Sequence, residues 1–151
     1  MKLRITHLFI AVLVSTLFST SSFAVKPVYT GGAKKAAIRG YDTVAYFTEE
    51  KAVKGNEEIS HEHLGATWFF SSEDNKQLFI ENPEKYMPQY GGYCAYAVSR
   101  KKSASSKPDY FTIHDGKLYL NYSSSVYKRW IKDPDGYISS ANENWSYVLA
   151  K

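Results

Sequence analysis

One thiol, a pair of alternating imidazoles, a third imidazole at a turn and one thioether carry most of the chain's ligand chemistry. Cys94 is the single cysteine among 151 residues and follows Gly91-Gly92-Tyr93. Two glycines let a backbone approach another group closely or take positive φ, which is one way to hold a thiol at a pocket wall. As a thiolate, Cys94 suits copper(I), zinc or iron, completed by an imidazole or thioether, and the candidate set is Cys94, His63, His114 and Met87. The opposing reading is packing, since an unpaired Cys is among the most buried residue types. An odd thiol cannot close an internal disulfide, so in an oxidising compartment it must be buried, joined to another molecule or held by a metal.

His61-Glu62-His63 alternates, so on a strand both rings project from one face and could chelate one ion. No third ligand stands near them in sequence. His114 precedes Asp115-Gly116 and is either a ligand or an exposed turn residue. Asp42 is placed to cap a short turn through the amides that follow it, or to line a polar cleft with Tyr46 and the Tyr90, Tyr93 and Tyr96 group around Gly91 and Gly92. Aromatic residues make up 16% of the chain, and rings at that density normally form core and rim. There is no nucleotide loop, Gly-x-Ser-x-Gly or His-Glu-x-x-His. A thiol enzyme would pair Cys94 with a histidine in space, but no spacing marks such a pair, so a binding role is favoured over catalysis.

The elements that must position these groups begin after a leader. Lys2 and Arg4, the apolar stretch Leu8 to Phe18 and Ser22-Phe23-Ala24 have the form of a cleavable signal over residues 1–24. Export to the periplasm or medium, with a mature chain from Val25 and no membrane span in it, is the expectation. The formal charge of +4 includes Lys2 and Arg4, so the mature chain is nearly neutral. Arg100-Lys101-Lys102 with Lys107 lies among Ser and Ala in a loop, not as a stripe on one regular element, which argues against nucleic acid as a partner. A monomer is expected.

Residues 25–39 lack a sustained period and read as an N-terminal leader that wraps a domain spanning 40–151. Ile59–His63 and Ala66–Phe70 form a hairpin about Leu64-Gly65; Tyr110–His114 and Lys117–Asn121 form another about Asp115-Gly116. Ser72 is an N-cap for a helix ending before Pro83, a short helix reaches toward Lys102, Ser123–Lys132 is amphipathic, and Asp133-Pro134-Asp135-Gly136 breaks it before a last helix over Tyr137–Leu149. Two hairpins interleaved with short helices give a single small α+β domain.

Gly65-x-x-Trp68-x-Phe70-Ser71-Ser72-Glu73, then Phe79, Pro83 and Tyr86, resembles the YHS domain. Gly40-Tyr41-Asp42-x-Val44-Ala45-Tyr46-Phe47, Tyr90-Gly91-Gly92-Tyr93-Cys94-Ala95-Tyr96-Ala97 and Asp115-Gly116-Lys117-Leu118-Tyr119-Leu120-Asn121-Tyr122 resemble phrases of its exported form. The resemblance implies a small metal-handling module, of the kind found in copper-transporting ATPases, in which a pair of Cys follows the second strand. Ser71 and Asn75 stand at the matching positions here, and neither is a soft ligand, so a metal role must be rebuilt around Cys94. The first expectation is therefore a transition-metal protein, with copper foremost. The alternative is an interaction module whose aromatic cleft receives a periplasmic protein or small ligand, with Cys94 buried.

Overall fold

Leu64-Gly65 and Asp115-Gly116 each place two consecutive residues at positive φ, 51° and 71° in the first and 48° and 69° in the second. That is the φ signature of the two-residue turn whose twist matches its flanking strands. A computed structural model describes residues 25–151; the signal expected over 1–24 lies outside the described residues. Strands β3 (Asn56–His63) and β4 (Ala66–Phe70) flank the first turn, and β5 (Lys107–His114) and β6 (Lys117–Asn121) the second. Both pairs are antiparallel, with His61 opposite Trp68 and Thr112 opposite Tyr119. In each hairpin the register shifts near the far end, between Lys107 and Phe111 in β5.

A third hairpin was not anticipated. β1 (Thr30–Gly31) pairs with β2 (Ala36–Ala37) inside the segment read as a leader. Val28, Ala36, Ala37 and Ile38 are buried there, so this segment belongs to the core. Strands of two residues are too short to show a period of two, which is why they escaped the sequence reading.

The helices follow their caps. α1 (Ala45–Thr48) starts after Asp42, and α2 (Glu73–Glu81) starts where Ser72 Oγ accepts from Asn75 N–H. α3 (Pro83–Tyr86) is capped by Asn82, α4 (Ala95–Ser99) follows Cys94, and α5 (Ser124–Trp130) is capped by Ser123. The expected break between the last two helices falls slightly earlier, at Ile131 to Asp133, and Pro134, Asp135 and Gly136 already form the first turn of α6 (Pro134–Leu149). Asp133 accepts from Gly136 N–H and Pro134 takes the first helical position, where its missing N–H costs nothing.

Two packed clusters share β6. Leu118 and Leu120 face one with Val44, Tyr46, Trp68, Phe70 and Phe79, while Tyr119 faces the other with Trp130, Ala141 and Val148. The strand's alternation thus serves two cores at once. The molecule is a small α+β single domain. No helix among the described residues is long and apolar enough to cross a membrane.

Candidate functional site

Asp42 is fully buried, and its carboxylate is saturated. Oδ1 accepts from the N–H of Val44 at 2.8 Å and of Ala45 at 3.3 Å, the expected cap of α1. Oδ2 accepts from Ser71 N–H at 2.8 Å, Ser71 Oγ at 2.7 Å and Asn75 Nδ2 at 2.7 Å. Ser71 and Asn75, which the YHS resemblance sets at the positions of a Cys pair, therefore both serve a carboxylate. Hydrogen bonds to an ionised group are each stronger than neutral ones, which offsets the cost of burying the charge.

Cys94 precedes α4 and lies beside Leu120 of β6 through a parallel bridge. It is 1% exposed. Sγ donates weakly to Asn121 Oδ1 at 3.7 Å, and the same oxygen accepts from Tyr96 N–H at 3.2 Å. Burial pushes the thiol above its ordinary range, against a smaller pull downward from the N–H groups of Ala97, Tyr122 and Tyr96. Asn121 Nδ2 is buried with no partner among the described residues. One thiol facing an amide offers a single soft donor, a poor fit for a copper(I) centre.

The alternation of His61 and His63 does put both rings on one face. They stack at 6.5 Å between centroids and cover Phe79, at 6.2 and 5.6 Å respectively. His114 lies elsewhere, its Nε2 2.8 Å from Asp135 Oδ1 and 3.8 Å from Asp115 Oδ2. Among the described residues, these three form the one group of His, Cys, Asp and Glu spaced to hold an ion, with ligand atoms within 4.8 Å of one another. It contains neither Cys94 nor His63. One imidazole and two carboxylates are borderline to hard donors, suited to zinc or another divalent ion more than to copper(I). Asp135 entered this group unannounced because Asp133-Pro134-Asp135-Gly136 reads as a break.

Some of the aromatic residues line two clefts. The first, about 480 Å³, lies between α1, β5 and α5 and is lined by Phe47, Phe111, Ile113 and Tyr127, with Glu50, Asp109 and Thr112, and with buried Tyr46 behind them. Tyr46 donates to the Pro108 carbonyl at 3.0 Å and packs edge-on against Phe111 at 4.8 Å. Burial, then the Asp109 charge, pushes its phenol well above the usual tyrosine range, so it stays a neutral donor. The second cleft, about 410 Å³, brings Met87, Tyr90 and Gly91 together with Val28, Leu64 and Trp145. Tyr93 and Tyr96 line neither, packing on Tyr29 and Tyr137. Phe111, Thr112 and Tyr127 were missed as site residues, because β5 and α5, both far from α1 in sequence, converge on it only in three dimensions.

The family model of the YHS domain matches residues 44–90, from the start of α1 through α3 to Tyr90. The resemblance to the YHS domain is thus borne out over residues 44–90. No curated protein and no solved structure matches the chain.

Proposed function

We propose that this protein is a non-catalytic binding module whose site for a small ligand is the cleft between α1, β5 and α5. The observation carrying this reading is the cleft itself. Its size of about 480 Å³ falls in the range of small-molecule sites, and it joins an aromatic and aliphatic wall to polar surface in nearly equal share. Cys94 then has a packing role, supported by its burial, its raised thiol pKa and the absence of His63, His114 and Met87 from its hydrogen-bond partners. Export through the leader at 1–24 agrees with this, since a buried thiol withstands an oxidising compartment. A ligand-observed NMR screen of apolar fragments tests the reading. Hits should bind the native chain and weaken by about tenfold in Tyr127→Ala, a loss of roughly 1.4 kcal/mol; hits indifferent to Tyr127, or none, would overturn it.

A second reading keeps the metal association of the YHS domain but moves the ion. His114, Asp115 and Asp135 are spaced for a divalent metal at the surface, where copper through Cys94 lacks partners. Zinc uptake lost in His114→Ala and kept in Cys94→Ala would establish it.

A further inference from the structure

Resting on the cleft being the ligand site, we infer that its ligand is a small organic cation, an ammonium or guanidinium attached to an apolar body. Phe47, Phe111, Ile113 and Tyr127 supply half-buried or exposed apolar wall, and no Lys, Arg or His lines it. Its two charged residues, Glu50 and Asp109, are both acidic and exposed, and neither forms a salt bridge among the described residues. Carboxylates left without cations beside a desolvating aromatic wall favour a positive ligand and penalise a negative one.

Asp109 lines the cleft from the stretch of β5 where the register shifts, between Lys107 and Phe111. Rings for the body and carboxylates at the mouth describe one kind of ligand.

The experiment is calorimetric titration of the full chain with three probes of one shape: 4-phenylbutylamine, 4-phenylbutan-1-ol and 4-phenylbutyrate, at low salt. The amine should bind at least tenfold tighter than the alcohol, and the acid weakest. Glu50→Gln combined with Asp109→Asn should weaken the amine roughly three- to tenfold and leave the alcohol unchanged, as expected for exposed charges. Equal affinity of alcohol and amine, with both weakened in Tyr127→Ala, would overturn the cation while keeping the cleft. Binding of none of the probes would overturn both.

Discussion

Asn75 Nδ2 donates a 2.7 Å hydrogen bond to Oδ2 of Asp42, joining the first helical turn of the domain to α2 across 33 residues. Ser71 donates to the same oxygen from both its N–H and its hydroxyl. Asp42→Ala would strand these donors in the interior along with the amides of α1. It should cost at least about 3 kcal/mol, and Asn75→Ala about 1.5–3 kcal/mol, read as shifts of the urea midpoint.

Cys94 should react with a maleimide or disulfide reagent only as fast as the native chain opens, and at once in denaturant, because the thiol is buried and held protonated. Rapid native labelling near neutral pH would contradict the packing role.

Stability should fall as pH rises through the alkaline range. Cys94 and Tyr46 have folded pKa values raised above their ordinary 9.0 and 10.0. Their contribution is therefore fully present below those values. It falls as pH rises above them, where the unfolded chain releases protons that the fold retains. Tyr46→Phe removes one such group. Stability against pH from about 9 to 12 should then decline less steeply, at a neutral-pH cost of about 1 kcal/mol for the lost bond to Pro108.

Gly91 is required by both space and φ, Gly65 by φ alone. A Cβ on Gly91 would collide with the Pro27 carbonyl oxygen, at φ +60°, whereas a Cβ on Gly65, at φ +71°, meets nothing within 4 Å. Gly91→Ala should lose well over about 2 kcal/mol, while Gly65→Ala pays only the left-handed strain of about 1–2 kcal/mol. Thermal midpoints of the two variants compare them directly.

Much of this fold could be read from local chemistry. Asp115-Gly116, Ser72 and the strand Lys117–Asn121 each carry their signal within a few residues, and all formed as expected. Cys94 drew attention by its uniqueness, yet its surroundings depend on Asn121 and Leu120, two strands away in sequence. Asp42 was legible as a cap but not as the partner of Ser71 and Asn75, since only the packing of α2 brings them together. The cleft was the least legible, because Phe47, Thr112 and Tyr127 have no common motif and meet only through tertiary packing.

The most direct test is a pair of titrations of the isotope-labelled chain followed by amide chemical shifts, one with 4-phenylbutylamine and one with copper(I) under anaerobic conditions. Shifts at Phe47, Thr112 and Tyr127 with the amine, and none at Tyr93 to Tyr96 with copper, are the expected result. Stoichiometric copper shifts around Cys94, with the cleft amides unmoved by the amine, would contradict the account.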